Sequence, residues 1–223
     1  ARLQPMQAPL QPIRMRLPGD VSSAAFLVLA ALISPNSRLD LVQVGLNHTR
    51  TGFFDALASM GADVQISPHG QPSGGEPLGD VQVRSSALEG TLVEGPLVVR
   101  MIDEFPAFAV AAAFAQGRTE VRQAAELRHK ESDRIAALCT QLTRLGARVE
   151  ERADGFVING GQPLQGGVQV EHYGDHRLAM ALCIAGLRTK EPVVVDQIEI
   201  MEQSFPGFLD LLGGLGAEVR RWE

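Results

Sequence analysis

Lys130, Glu131 and Arg134, within His129-Lys130-Glu131-Ser132-Asp133-Arg134, set two fixed cations around one titratable acid. If the stretch opens a helix, Lys130 and Arg134 share one face, because residues four apart align along a helix. Glu131 beside them could hold a proton or give one up. Two cations and an acid at a helix start suit a phosphorylated or carboxylated ligand. The alternative is a solvated, charged first turn, since charged helix starts are common. Similar clusters recur at Asp20, Ser22 and Ser23; at Asn47, Thr49 and Arg50; at Asp103 and Glu104; at Asp175, His176 and Arg177; and at Gln203 and Ser204. Helix capping explains the Asp, Ser, Thr and Asn residues, including Asp20, Asp103 and Asp175. It does not explain Arg50, Lys130, Arg134 and Arg177, because cations oppose the dipole at a helix start. An anionic ligand would account for all four.

The elements that must carry these residues repeat along the chain. Gly-Ala-x-Val occurs three times, at Gly61–Val64, Gly146–Val149 and Gly216–Val219. Each copy follows an amphipathic stretch, at Phe53–Met60, Ile135–Leu145 and Phe208–Leu215. A glycine just past a helix, then alternating residues such as Ala62-Asp63-Val64-Gln65-Ile66, reads as a helix end and a strand start. Earlier in each unit a small-residue apolar helix is expected, at Ala24–Ile33, Phe108–Ala115 and Leu178–Leu187. Strands are expected before those helices, at Ile13–Leu17, Leu97–Met101 and Val168–Glu171. Further strands are expected after them, at Arg38–Val42, Arg118–Val121 and Pro192–Asp196. Ser67–Asp80, rich in Gly and Pro, reads as a loop.

The unit is therefore strand–helix–strand–helix–strand–strand, with the last copy lacking its final strand. Such units must pack together to bury their apolar faces. The expected architecture is α/β: one domain of three repeats over 13–223, divided 13–95, 96–166 and 167–223, after a linker at 1–12 carrying Pro5, Pro9 and Pro12. If the repeats are related by approximate symmetry, their helix starts point one way. A converging set of helix N-termini forms an anion-binding face.

Composition narrows the function classes. The 223 residues are 45% hydrophobic, enough for a sizeable core. A net charge of −6 argues against a general nucleic-acid binder. The longest apolar runs, Ala24–Ile33 and Ala107–Ala115, are too short to span a membrane. Cys139 and Cys183 read as buried free thiols in a reducing cytoplasm rather than as nucleophiles.

Several motifs together resemble a known family. Arg100-Met101-Ile102-Asp103-Glu104-Phe105-Pro106, Glu126-Leu127-Arg128-His129-Lys130-Glu131-Ser132-Asp133-Arg134, Asp175-His176-Arg177-Leu178-Ala179-Met180 and Ser204-Phe205-Pro206 resemble the C-terminal half of the 5-enolpyruvylshikimate-3-phosphate synthase family. Pro18-Gly19-Asp20-Val21-Ser22-Ser23-Ala24 and Asn47-His48-Thr49-Arg50-Thr51-Gly52 fit the same family. The Met-Ile-Asp-Glu-Phe-Pro and Lys-Glu-Ser-Asp-Arg forms look closer to the branch associated with glyphosate tolerance. The resemblance implies two similar domains, each of three strand–helix repeats, packed as halves of an inside-out α/β barrel. It implies transfer of enolpyruvyl from phosphoenolpyruvate to the 5-hydroxyl of shikimate 3-phosphate in the shikimate pathway, with no metal cofactor.

It also implies roles. Asp103 would bind the shikimate hydroxyls and accept the 5-hydroxyl proton. Glu131 would protonate the methylene carbon of phosphoenolpyruvate. Lys130 would touch the shikimate hydroxyl and the reacting centre. Arg134 and Arg177 would hold the phosphoenolpyruvate carboxylate and phosphate, with His176 beside the transferred group. Lys130 and Arg134 would push the Glu131 pKa down while desolvation opposes them. Two positions depart from the family pattern. A Lys that contacts phosphoenolpyruvate in many members is Gln203 here, as the tolerant branch tends to have it. An Asn that contacts shikimate 3-phosphate is Glu126. The family's N-terminal half, which grips the shikimate phosphate, has no counterpart in these residues, so the expectation is a chain inactive without that half as partner. The alternatives are a non-catalytic anion-binding or complementing module, and half of the sister transferase acting on a nucleotide sugar.

Overall fold

A computed structural model describes residues 2, 4–6, 8–12, 17–70 and 76–220. The chain forms α1 (Val21–Ile33), β1 (Arg38–Gly45), α2 (Gly52–Ser59), β2 (Asp63–Pro68) and β3 (Leu78–Arg84). It continues with β4 (Leu92–Val93), the short α3 (Pro96–Arg100), α4 (Phe105–Phe114), β5 (Gly117–Val121), α5 (Arg134–Arg144), β6 (Arg148–Arg152) and β7 (Gly155–Gly160). It ends with β8 (Gln169–Val170), α6 (His176–Gly186), β9 (Val194–Val195) and α7 (Phe208–Gly214). Turns of 3-10 helix occupy Ala125–His129 and Ile198–Gln203.

Three small sheets follow, one per repeat: β1-β3-β2, β4-β5-β7-β6 and β8-β9. In the second sheet β4 lies parallel to β5, and the β5-β7 and β7-β6 pairs are antiparallel. The first sheet repeats the antiparallel part, with Leu39 opposite Val83 and Val64 opposite Val83 from the other side. Gly19 bridges Val44 in parallel, so the chain entering α1 occupies the place that β4 has in the second sheet. The third sheet keeps the parallel pair alone, Gln169–Val170 against Val194–Val195.

Some expected boundaries move. The strand expected at Leu97–Met101 is α3 and the turn after it. Gly95 takes φ 63 and Pro96 stands at the first helical position, which starts a helix where a short apolar run alone is ambiguous. The strand lies earlier, at Leu92–Val93. The loop expected over Ser67–Asp80 is shorter, because β2 runs to Pro68 and β3 begins at Leu78. The strand expected at Ile13–Leu17 falls, except for Leu17, outside the described residues.

The first long helix of each repeat forms the centre. Residues Phe105–Ala113 of α4 are buried on every side, as are most of α1 and α6. Alanine at 107, 109, 111, 112 and 113 lets the neighbours approach, and α4 packs on both α1 and α6. A helix apolar all round must be central, because no face of it can meet water without loss. Aromatic edges tie the outer elements to this centre: Phe105 meets Phe156 of β7 with centroids 6.4 Å apart, and Phe26 meets Phe208 of α7 at 6.2 Å. Each such buried Phe contributes about 1.5–3 kcal/mol relative to an exposed one.

The outer helices α2, α5 and α7 end in one and the same motif. Gly61, Gly146 and Gly216 have φ of 77, 96 and 103. The following amides, of Ala62, Ala147 and Ala217, donate back to the carbonyls of Leu57, Leu142 and Leu212 at 3.0, 2.9 and 3.0 Å. The glycine amides donate to Ala58, Thr143 and Gly213. This pair of bonds is the Schellman closure, which needs a left-handed residue and so a glycine.

Gly61→Ala should therefore cost about 1 kcal/mol, from backbone conformation alone, since a Cβ there would meet nothing within 4 Å. Gly155→Ala should cost more than about 2 kcal/mol, since its Cβ would lie 2.0 Å from the Val121 carbonyl oxygen. Urea unfolding midpoints of the two variants check the order, and the reverse order would contradict this account of both glycines.

Candidate active site

The starts of five helices meet in one chain of polar contacts. At the start of α1, the Asp20 side chain accepts from the Ser22 and Ser23 amides and frees the Ser22 hydroxyl. That hydroxyl donates to Glu104 Oε1, at the start of α4. Arg50, ahead of α2 in a turn in which the Asn47 side chain accepts from Thr49, lies alongside. Its Nη2 reaches Ser22 Oγ at 3.0 Å, Asp103 Oδ2 at 3.0 Å and Glu104 Oε1 at 3.4 Å. The other oxygen of Asp103, Oδ1, faces Lys130 Nζ at 3.5 Å and Arg134 Nη1 at 3.7 Å. Arg134, the first residue of α5, donates from Nε to Asp175 Oδ2 and from Nη2 to Glu131 Oε2, both at 2.7 Å. Asp175 Oδ1 caps α6 through the Arg177 and Leu178 amides. The start of α7 stands apart: Gly207 donates to Glu202 within its own segment.

Lys130 and Arg134 do meet at Asp103, but not by sharing a helical face. Lys130 follows the 3-10 turn, and α5 begins only at Arg134, capped by Asp133, whose side chain accepts from the Ala136 amide. Lys130, Glu131 and Ser132 are thus loop, and the loop's fold delivers them. The solvated-turn reading fails for Arg134, whose side chain has no exposed surface. Glu131 retains 43% exposure. Asp103 is not a cap, as the helix-capping reading had it. The N-cap of α4 is Glu104, with no side-chain cap bond, and Asp103 is left to gather cations. Gln203 and Ser204 close a 3-10 turn instead of starting a helix.

Two carboxyls side by side are driven apart. Burial pushes the Asp103 carboxyl up, but the Arg177 charge, the Arg50 hydrogen bond and the Lys130 charge outweigh it and hold it below the ordinary carboxylate range. Glu104 goes the other way. Burial raises it, and the Ser22 hydrogen bond and the Arg50 and Arg177 charges only partly offset this. Its Oε2 is buried with no hydrogen-bond partner, and so is Arg134 Nη1. Asp175 is buried, yet its bonds to Arg134 and to the α6 amides hold its pKa low. His176 is lowered by burial and by Arg177, against the pull of Asp175 and Glu131.

Every residue singled out for the site, Asp103, Lys130, Glu131, Arg134, His176 and Arg177, lies on or beside this chain of contacts. Arg50, Ser22 and Glu104 belong to it as well. Arg50 carried a signal, as a cation opposing a helix dipole; Glu104 carried one only as a polar residue beside Asp103 at a helix start. Cys139 and Cys183 lie elsewhere, each with a thiol pushed up by burial to about 12, which suits packing and not nucleophilic attack.

A sequence model of EPSP synthase, 3-phosphoshikimate 1-carboxyvinyltransferase, matches residues 1–212. The chain belongs to the EPSP synthase family. It is 52% identical to the 3-phosphoshikimate 1-carboxyvinyltransferase of Desulforudis audaxviator over 92% of its length, and 46% identical to that of Desulforamulus reducens over 91%. In each case it spans 47% of the relative, so it has about half the length of the family members it matches. The solved EPSP synthase from Acinetobacter baumannii superposes with a TM-score of 0.87 at 38% identity, over 93% of this chain and 48% of that one. The enolpyruvyl transferase NikO from Streptomyces tendae, 19% identical with a TM-score of 0.74, shares the fold. The three repeats thus form a half of the inside-out α/β family fold. Among the described residues no helix is long and apolar enough to cross a membrane.

Arg134→Leu should cost about 3–5 kcal/mol, because it leaves Asp175 buried and unpaired; Arg134→Leu combined with Asp175→Asn should recover part of that loss in urea unfolding. Asp175 and Asp103 have folded pKa values below their unfolded ones. Their contribution is present above the unfolded value, about 3.9, and is lost as pH falls through the lower folded value. Asp175→Asn should therefore flatten the acid limb of stability against pH below about 4, and an unchanged acid limb would refute this.

Proposed function

We propose that this chain is the C-terminal half of an enzyme that transfers enolpyruvyl from phosphoenolpyruvate to the 5-hydroxyl of shikimate 3-phosphate and releases phosphate. The observation that carries the proposal is the Asp103 carboxylate, ionised and met by Arg50 on Oδ2 and by Lys130 and Arg134 on Oδ1. The names of the relatives agree with it. We read residues 13–223 as one domain with repeats 13–95, 96–166 and 167–223.

In this reading Glu131 gives a proton to the methylene carbon of phosphoenolpyruvate. The adjacent carbon becomes oxocarbenium-like, and the 5-hydroxyl oxygen attacks it while Asp103 takes the hydroxyl proton. Loss of phosphate and of one methyl proton restores the double bond. Lys130, 3.5 Å from Asp103, sits where the attacking hydroxyl must lie. Arg177 offers a guanidinium to the carboxylate and phosphate of phosphoenolpyruvate. Arg134 has two of its nitrogens engaged by Asp175 and Glu131, so its offer is Nη1, which faces Asp103 Oδ1 at 3.7 Å. A lowered His176 is neutral at pH 7 and could donate or accept one hydrogen bond beside the transferred group.

Turnover needs the half of the fold that grips the shikimate phosphate, since positioning and electrostatics act together in such sites. The purified chain should release no phosphate from phosphoenolpyruvate and shikimate 3-phosphate. Mixed with the N-terminal half of a relative, it should. Turnover by the chain alone would overturn the need for a partner, and no turnover in any mixture would overturn the activity. In an active mixture Glu131→Gln should lower kcat on the order of 10²–10⁴-fold while shikimate 3-phosphate binding, followed by calorimetry, persists. Gln203, where many members carry a Lys, supports placing the assembled enzyme with the glyphosate-tolerant branch; inhibition at concentrations that stop a sensitive relative would refute that placement.

A further inference from the structure

Arg50 has three partners, all on Nη2: Ser22 Oγ, Asp103 Oδ2 and Glu104 Oε1. Two of these hold it in place. The Ser22 hydroxyl is tied to Glu104 by its own hydrogen bond, and both lie at the ends of buried helices. The third partner, Asp103, is the residue proposed to take the proton. Arg50 engages only the Oδ2 oxygen, and Lys130 and Arg134 face only Oδ1. A carboxylate with one oxygen fixed by a charge-assisted bond can present only the other to a substrate.

We propose that Arg50, anchored by Glu104 and Ser22, is a positioning residue for the enolpyruvyl transfer: it locks one oxygen of Asp103 so that the other faces the reacting hydroxyl. The inference rests on the activity proposed above.

Arg50 also acts on the charge of Asp103, in opposition to Glu104. The charged groups around Asp103 are Arg50 ahead of α2, with Asp20 behind it at α1; Glu104 on α4; Lys130, Glu131 and Arg134 at α5; and Asp175 and Arg177 at α6. Removing Arg50 takes away a cation that favours the Asp103 carboxylate. Neutralising Glu104 takes away an anion that disfavours it. The two changes must move the ionisation of Asp103 in opposite directions, whatever they do to packing. Glu104→Gln keeps the acceptor for Ser22 and Arg50 while removing the charge.

The test uses the active mixture of this chain with the complementary half of a relative, comparing the parent with Arg50→Met, Arg50→Lys and Glu104→Gln. Arg50→Met should lower kcat on the order of 10- to 100-fold with a smaller change in KM for shikimate 3-phosphate. The acid limb of its kcat/KM profile should move to higher pH, and that of Glu104→Gln to lower pH. Arg50→Lys should restore much of kcat, because a single nitrogen makes all three contacts. A parent mixture without turnover overturns the activity and this inference with it. An active parent whose acid limb is unmoved in both Arg50→Met and Glu104→Gln, or moves the same way in both, overturns the inference alone. Should Arg50→Met fail to assemble, the Arg50→Lys and Glu104→Gln profiles decide: Arg50→Lys at the Arg50→Met level of unfolding, or no downward shift in Glu104→Gln, overturns it.

Discussion

A cation and an anion, both without exposed surface, hold the centre of this site together. Arg134 opens α5 and Asp175 caps α6, and their 2.7 Å contact ties the second repeat to the third. Taking either charge out of water alone would cost several kcal/mol, so each is tolerable only with the other in place. Asp175 serves the cap and the pair at once, with Oδ1 turned to the α6 amides and Oδ2 to Arg134 Nε. That double use fixes where α6 starts relative to α5. Once those two starts are fixed, Arg134 Nη1 points at Asp103, and Glu131 is drawn in by Nη2.

The same pair explains why the site carries more cations than a helix start ordinarily would. Each helix N-terminus is already partly positive. Arg50, Lys130 and Arg134 are held there by Asp103, Glu104, Glu131 and Asp175, and the Arg177 charge acts on Asp103, so cations and carboxyls balance across the site. The environment also splits two neighbouring carboxyls, Asp103 downward and Glu104 upward, so that adjacent acids differ in their readiness to hold a proton.

Much of the architecture was legible from residue types because some conformations admit few residues. Gly61, Gly146 and Gly216 announced three helix ends, and all three are left-handed. The small-residue apolar stretch Phe108–Ala115 announced a helix, and Phe105–Ala113 of α4 are buried. The site residues were legible as types, and they do converge. Their local setting was not, because loops obey no periodicity: Lys130 and Glu131 precede the helix that spacing seemed to give them. Leu97–Met101 failed for a related reason, since a short apolar run fits strand or helix until its neighbours decide. The pairing of Arg50 with Glu104 spans 54 positions in sequence and could only come from the fold.

The Schellman closures carry a consequence for how such a protein can change. In α5 the closure and the site are at opposite ends of an 11-residue helix, about 16 Å apart at 1.5 Å per residue. The carbonyl end keeps the helix in register with its strand, and the amide end carries the charged side chains. The two tasks use different atoms, different residues and different polarities of the same element. A lineage can therefore exchange the side chains at the amide ends while the glycine ends go on specifying the same frame. A chain with 19% identity to this one and a TM-score of 0.74 shows that the frame outlasts most of its side chains.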